Sequence, residues 1–197
     1  MGPLELSLFL YPRIIPIHSL ADTDGFPNEN GHLQVPSTIR ASFSRVEDGG
    51  AYLVDDGQVC LLWLHANVSP NLLEDLFGPD KTSLQSLDPM LSSLPVLETH
   101  LNAQVRNLIA YWSSVRGSKA LTVQLARQGL DGSEYEFARL LFEDRNNDAQ
   151  SYVDWLVHLH RMIQMELAGQ RKKEDGGDGG SMMENTMAGI ANLRPPW

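Results

Sequence analysis

The sequence predicts an α+β fold in which a mixed β-sheet is sandwiched between one long helix and shorter helices. Residues 51–64 carry two β-rich runs on either side of Asp56-Gly57, a dipeptide that favours a type I′ hairpin turn. In such a hairpin Val54 pairs with Val59. The second run is apolar on both faces, and a strand of this kind must be covered on both faces. Amphipathic helices that follow in the sequence can supply these two layers.

The N-terminal part predicts a short strand, an extended lead-in and a linker. Leu4, Leu6, Leu8 and Leu10 recur at period two, which is typical of a strand. Residues 11–17 contain two prolines, which exclude a helix interior and a central strand. We therefore expect an extended lead-in that packs its isoleucines on a neighbour outside the domain. The predicted organisation is residues 1–20 as the end of a preceding region, 21–38 as a linker, 39–169 as the main domain and 170–197 as a disordered tail.

Four elements are predicted between the hairpin and the last helix. Ser69 as N-cap and Pro70 at the first helical position begin a short helix that Gly78 ends. A long helix covers residues 98–115, and a half-exposed strand covers 121–125. The segment 137–143 fits a strand, with a helix as the alternative. The long helix carries an apolar stripe at three- and four-residue spacing: Leu101, Val105, Leu108, Trp112 and Val115.

The last helix has the clearest signature. Ser151 and Asp154 have the spacing of a capping box, in which the Asp154 carboxylate reaches the backbone N–H of Ser151. Gly169 is expected to end the helix, and the basic residues after it favour the negative end of the helix dipole. The apolar stripe of this helix is expected to be buried, and it consists of Tyr152, Leu156, Leu159, Ile163 and Leu167.

Composition excludes several classes of function. The chain has 197 residues, a formal net charge of −10 and one cysteine. The acidic balance argues against nucleic acid as a partner, because phosphate binding requires a basic face. The single cysteine, Cys60, excludes an internal disulfide and a multi-cysteine zinc site, which suits a reducing cytoplasmic compartment. No apolar run approaches the roughly 20 residues that a membrane span requires.

No catalytic or metal-binding constellation emerges from the spacing of reactive residues. His158 and His160 lie about 200° apart around a helix, so they cannot share a metal ion. Residues 22–25 (Asp-Thr-Asp-Gly) resemble the start of a calcium loop but lack the later ligands. We expect a protein that is not an enzyme and that carries no cofactor.

Three stretches together resemble one protein family. Residues 10–18 read LYPRIIPIH, residues 48–57 read DGGAYLVDDG, and EDR at 143–145 precedes SYVDWLVHLH at 151–160. In this order and at this spacing they resemble the C-terminal end of the cargo-selecting adaptor subunit of the COPII vesicle coat. The resemblance covers about residues 4–167 and implies a gelsolin-like domain.

The resemblance also implies a function. It points to a fragment or short form of a coat adaptor in ER-to-Golgi transport, cytoplasmic and peripheral on the ER membrane and COPII vesicles. The implied partners are the GTPase-activating subunit of the inner coat, SNAREs and membrane cargo tails. The zinc-finger region of the family is absent from these residues, so its zinc is not carried over. The alternative is a stand-alone gelsolin-repeat protein that regulates actin, but Leu64 stands where gelsolin-type repeats have glycine after the hairpin tryptophan.

The candidate partner-binding residues lie on one edge of the last helix. Trp155, His158 and Met162 share this edge, beside the apolar stripe. The resemblance implies a cargo site next to this domain, and an exposed aromatic side chain is a typical interface anchor. The alternative interpretation is that Trp155 packs at the edge of the sheet.

Overall fold

The structure is a computed structural model that describes residues 2–117, 121–145 and 150–168. The chain divides into two compact units, Met1–Leu141 and Phe142–Trp197. The predicted tail, residues 170–197, and the basic residues after the last helix lie outside the described residues. The first unit contains α1 (Pro3–Leu10), β1 (Arg13–Pro16), β2 (Ala51–Asp55), β3 (Cys60–Leu64), α2 (Pro70–Phe77), α3 (His100–Val115), β4 (Val123–Arg127) and α4 (Glu134–Arg139), and the second contains α5 (Tyr152–Leu167).

The four strands form one mixed sheet in the order β1-β2-β3-β4. β2 is antiparallel to both β1 and β3, whereas β4 runs parallel to β3. A parallel neighbour requires a crossover, and α2 and α3 provide it. Every residue of β2 and β3 is buried. The prediction of a mixed sheet with helices on both sides is therefore confirmed.

Two hydrophobic clusters cover the two faces of the sheet. The larger cluster packs Leu53 and Leu62 against the α3 residues Val105, Leu108 and Trp112, which are at most 2% exposed. The other face carries an aromatic group in which Trp63 stacks on Phe137 of α4, with ring centroids 4.5 Å apart. The long helix thus covers one face and the short α4 the other.

The hairpin register differs from the predicted one. Asp55 pairs with Cys60 and Val54 with Leu61, so the loop holds four residues rather than two. The reason lies in the loop carboxylates, because Asp56 accepts hydrogen bonds from the N–H groups of Gln58 and Val59 at 2.8 Å. Such side-chain bonds compete with a tight type I′ turn. The register shifts by two residues, so each side chain keeps its predicted face.

The N-terminal expectations were wrong in two respects. Residues 3–10 form a helix instead of a strand, because Pro3 at its start and Glu5 in the first turn favour a helical beginning. Residues 13–16 form an edge strand paired with β2, where Pro16 is tolerated. Ile14 and Ile15 are fully buried in the two hydrophobic clusters. The lead-in isoleucines therefore belong to this domain.

The segment predicted as a linker is fastened to α3. Gln104 donates to the carbonyl oxygens of Ala21 (2.7 Å) and Asp24 (2.9 Å), and Asn107 donates to that of Gly25 (2.9 Å). A Cβ atom on Gly25, whose φ is +74°, would lie 2.7 Å from the Gln104 carbonyl oxygen. This close approach requires glycine. The domain boundaries given above stay a prediction.

The middle elements agree with the sequence only in part. The strand predicted at 121–125 lies at Val123–Arg127, and it is mostly buried rather than half-exposed. Ser69 accepts the N–H of Leu72 and α2 ends at Gly78, as predicted. Residues 137–139 lie in α4 and the chain leaves the helix after Arg139, so the preferred strand over 137–143 was wrong and the helix alternative holds only for the start of the segment. The short apolar run there was ambiguous because one helical turn can bring Phe137 and Leu141, four residues apart, into the same hydrophobic cluster. Across the described residues, no helix combines the length and the apolarity that crossing a bilayer would demand.

Candidate functional site

The N-terminus of α5 is held by a complete capping box. The Ser151 hydroxyl accepts the Asp154 N–H at 3.1 Å, and the Asp154 carboxylate accepts the Ser151 N–H at 3.3 Å. Arg145 donates two hydrogen bonds to the same carboxylate, at 2.6 and 2.7 Å. The Arg145 guanidinium, with the Ser151 hydroxyl, keeps the pKa of Asp154 well below its ordinary value. The predicted helix start is confirmed, and it fixes the direction in which the first-turn aromatics project.

The three candidate partner-binding residues all lie on α5, and their role in binding stays a prediction. Trp155 and Met162 are seven residues apart and therefore on one face, and His158 lies one turn after Trp155. The Trp155 side chain is 40% exposed and stacks on Tyr152, with ring centroids 6.2 Å apart and planes 20° apart. His158 is exposed and Met162 partly so. These residues form an aromatic platform followed by a thioether.

The stripe that was expected to be buried on α5 is exposed. Tyr152, Leu156, Leu159 and Ile163 are 40–48% exposed and Leu167 is 77% exposed. Every residue of α5 retains contact with solvent, because its burial classes range only from partly to fully exposed. An apolar stripe at this spacing suits a partner groove as well as a core. The burial of Leu159 inferred from periodicity was therefore wrong.

A charge cluster at the end of β2 was missed by sequence reasoning. Asp55 is fully buried, pairs with Arg116 beyond the end of α3, and lies 3.7 Å from the Arg13 guanidinium. Arg13 also lies 5.0 Å above the centre of the Trp112 ring. Burial lowers the pKa of both arginines. A signal was available, since a carboxylate inside an otherwise apolar strand must find a cation.

A second buried cation organises the loop before α3. Arg127 donates to the carbonyl oxygens of Leu84 and Leu87 at 2.9 Å and makes two 2.7 Å hydrogen bonds to Asp131. The hydrogen bonds from Arg127 lower the pKa of Asp131. All of these partners are structural groups, so this cluster builds the fold and offers no reactive atom.

Two histidines hold the turn that precedes β2. His65 accepts the N–H groups of Gly49 and Asn67 on its Nδ1 at 3.1 Å. His18 lies on the other side of the turn, with its Nε2 3.3 Å from the Glu47 carboxylate. Within the described parts of the chain, no three histidine, cysteine or acidic side chains come together as a metal cluster. His18 Nδ1 also lies 3.1 Å from the backbone of Ala51, so both histidines contact backbone groups beside the turn.

Two further groups in the described part of the chain, Cys60 and the loop at residues 22–25, are buried or engaged in hydrogen bonds. Burial raises the pKa of the Cys60 thiol to about 12, so the thiolate that would act as a nucleophile is suppressed. In the loop that resembled a calcium site, the Asp24 carboxylate accepts the Ala21 N–H at 2.9 Å, and the Asp22 carbonyl oxygen lies 3.0 Å from His100 Nε2. These oxygens are used to fasten the loop. The α5 face is therefore the strongest candidate for a functional surface.

The chain matches one family model and several known proteins over much of its length. A family model described as the gelsolin repeat matches residues 32–109. SED5-binding protein 3 of Saccharomyces cerevisiae is 32% identical, with 85% of this chain and 19% of that protein covered. Human protein transport protein Sec24C is 32% identical over 85% of this chain and 14% of its own length. The sec24 protein of Aspergillus oryzae is 31% identical over 82% of the chain and 18% of that protein.

A solved structure has the same fold. The crystal structure of the human COPII-coat protein Sec24c matches with a TM-score of 0.69 at 30% sequence identity. The match covers 85% of this chain and 20% of the solved one. The chain thus spans only 14–19% of the length of the relatives described above.

Proposed function

We propose that this chain, which is homologous to the Sec24 proteins and carries their gelsolin-like domain, is a cargo-adaptor module of the COPII coat in ER-to-Golgi transport. One observation carries the proposal: the sequence comparison and the structure comparison with human Sec24c each cover 85% of the chain, at 32% and 30% identity. This agreement extends well beyond residues 32–109, the part that matches the gelsolin repeat. It therefore favours the coat adaptor over an actin regulator.

The proposed role is binding rather than catalysis. The proposed partners are SNAREs and membrane cargo tails, together with the GTPase-activating subunit of the inner coat. One relative is named for binding SED5, which supports a SNARE as the first ligand to test. The chain would act from the cytoplasmic side, peripheral to the ER membrane and to COPII vesicles. We propose no zinc and no calcium requirement for this segment.

The proposed ligand surface is the edge of α5 that carries Trp155, His158 and Met162. Tryptophan is enriched among residues that dominate binding energy, and Trp155 combines 40% exposure with a stacked neighbour that limits its rotamers. A preordered anchor loses less side-chain entropy on binding. His158 and Met162 extend this edge over two helical turns, enough for a short helical or extended peptide.

A titration tests both the function and the surface. The purified chain is titrated into the labelled cytosolic part of a Sed5-type SNARE, and fluorescence anisotropy measures the Kd. We expect saturable binding that Trp155→Ala weakens by about 2 kcal/mol, roughly 30-fold. The control is Tyr135→Ala on α4, since Tyr135 is an aromatic that is even more exposed, at 63%, and the Kd of this variant should equal that of the wild type.

The possible outcomes of this titration distinguish the adaptor function from the actin regulator, and they test the ligand surface separately. Absence of binding by the wild-type chain, together with co-sedimentation with filamentous actin, would replace the adaptor by the actin regulator. Binding that neither substitution changes would retain the adaptor function and move the ligand surface away from Trp155.

A further inference from the structure

A turn in the first unit presents the sequence Asn30-Gly31 at its tip. Asn28 and His32 close the turn, because the Asn28 N–H donates to the His32 carbonyl oxygen at 2.8 Å. The Asn28 side-chain oxygen accepts the N–H groups of Asn30 and His32 at 3.0 Å. Asn30 and Gly31 are both exposed, and Gly31 has a φ of +77°.

We propose that Asn30 is a site of spontaneous deamidation, a covalent modification that changes the charge of this turn. The backbone nitrogen of Gly31 gives up its proton and attacks the side-chain carbonyl carbon Cγ of Asn30. A bond from Gly31 N to Cγ forms, the bond from Cγ to Nδ2 breaks, and the amide leaves as ammonia. Water then opens the five-membered succinimide at either carbonyl, which yields aspartate or isoaspartate at position 30. No oxidant or reductant is required.

Glycine at position 31 favours this step for steric reasons. The attacking nitrogen must approach Cγ closely, and a side chain on the following residue would obstruct that approach. A Cβ built on Gly31 meets no atom within 4 Å, so the surrounding turn leaves room as well. Asn-Gly occurs once in the sequence. One feature opposes the reaction, since the Gly31 N–H donates to the Asn28 carbonyl oxygen at 2.9 Å and must release it first.

Hydrogen bonds of the side-chain amide protect three other asparagines, Asn67, Asn102 and Asn107, from this reaction. Asn102 is fully buried, and its amide nitrogen donates to the carbonyl oxygens of Leu76 and Pro95 at 2.8 and 3.0 Å. Asn107 lies in α3 and donates its amide to Gly25. Asn67 donates its amide to Asp48 at 2.8 Å and precedes the β-branched Val68. Each of these amides would have to break hydrogen bonds before Cγ became accessible.

The modification would alter the turn locally. Aspartate at position 30 adds a negative charge to a chain that already carries a formal charge of −10. Isoaspartate inserts an extra methylene into the main chain, which disturbs the bridge between Pro27 and Leu33 across the turn. Neither product touches the hydrogen bonds that fasten Ala21 and Asp24 to Gln104, so the fold should persist.

Incubation of the full chain in mildly alkaline buffer, followed by peptide mapping with mass spectrometry, tests the proposal. We expect Asn30 to show the largest conversion of all asparagines, with isoaspartate detected by enzymatic carboxyl methylation. Asn30→Gln is the matched control, because its longer side chain disfavours the five-membered ring, and it should lose the isoaspartate signal while retaining the wild-type melting curve. Retention of the Asn30 amide under conditions that deamidate an Asn-Gly reference peptide would overturn the proposal, as would equal conversion at Asn67 or Asn107.

Discussion

α3 and α5 are two helices of equal length with the same kind of apolar pattern and opposite surroundings. Each has 16 residues and an apolar stripe at three- and four-residue spacing. In α3 the stripe residues Val105, Leu108 and Trp112 are at most 2% exposed. In α5 the corresponding Leu156 and Leu159 are each 40% exposed. Periodicity therefore predicts a helix and its apolar face, but it does not identify what covers that face.

The difference assigns separate roles to the two helices. The α3 stripe packs on the sheet and belongs to the hydrophobic core. Its polar side also serves the fold, since Asn102 and Gln104 satisfy buried carbonyl oxygens. The α5 stripe contributes an apolar surface that also carries the aromatic pair Tyr152 and Trp155. Substitutions in α3 and its sheet should therefore affect stability, and those in α5 should affect binding.

The largest loss of stability is expected for Asp55→Asn. This change leaves two cationic side chains near a neutral amide, and the Arg116 side chain is only 3% exposed. Breaking a buried ion pair in this way costs about 3–5 kcal/mol. Urea unfolding followed by tryptophan fluorescence measures the loss. The control Asp56→Asn keeps a side-chain oxygen that can accept the loop N–H groups, so it should change the free energy of unfolding by far less. An equal effect of the two substitutions would show that the ion pairs of Asp55 with Arg13 and Arg116 contribute nothing to stability.

The next largest effect is expected for Leu108→Ala in α3. Leu108 is fully buried in the larger hydrophobic cluster, and truncating such a leucine typically costs about 2–5 kcal/mol. The same unfolding measurement applies. A loss below that of a surface substitution would mean that α3 is not the helix that stabilises the sheet.

Two aspartate–arginine pairs allow a pH test of the comparison. The pKa of both Asp131 and Asp154 is lowered by an arginine, so each pair stabilises the fold above the unfolded value of about 3.9 and loses that contribution as the pH falls toward the lower folded value. The Arg127–Asp131 pair is mostly buried, and hydrogen bonds to charged groups contribute about 1.5–3 kcal/mol. In the Arg145–Asp154 pair the Arg145 side chain is 76% exposed, so solvent screens this pair more strongly.

We therefore expect Asp131→Asn to flatten the acid dependence of unfolding, and Asp154→Asn to leave most of it. Thermal melts from neutral pH down to strongly acidic pH provide the measurement. Equal flattening in the two variants would show that exposure does not distinguish the pairs.

Sequence reasoning succeeded where local chemistry decides the structure. Ser69, Ser151 and Gly78 mark helix ends through hydrogen bonds and backbone conformations that the residue types themselves favour. The two-sided apolar character of β3 predicted both helical layers because no other arrangement buries such a strand. The proposed function came from the resemblance of three stretches to one family, and the similarity to the Sec24 proteins over 82–85% of the chain supports it.

Sequence reasoning failed where contacts between residues distant in the sequence determine the structure. The isoleucines of β1 gave no sign that β2 would pair with them, and Asp55 gave no sign that Arg13 and Arg116 would converge on it from distant positions. The hairpin loop lengthened because Asp56 binds the loop N–H groups more favourably than a tight turn would. The candidate residues of α5 could be placed on one edge, but their ligand depends on a partner outside the chain.

The most direct test of the central claim, that the α5 face serves a partner and not the core, is Leu159→Ala measured by unfolding and by SNARE binding in the same preparation. Leu159 is 40% exposed, so we expect the free energy of unfolding to change by no more than about 0.5 kcal/mol while the Kd for the SNARE segment rises. A loss of stability as large as that of Leu108→Ala, with binding unchanged in the fraction that remains folded, would contradict the account and return α5 to the core.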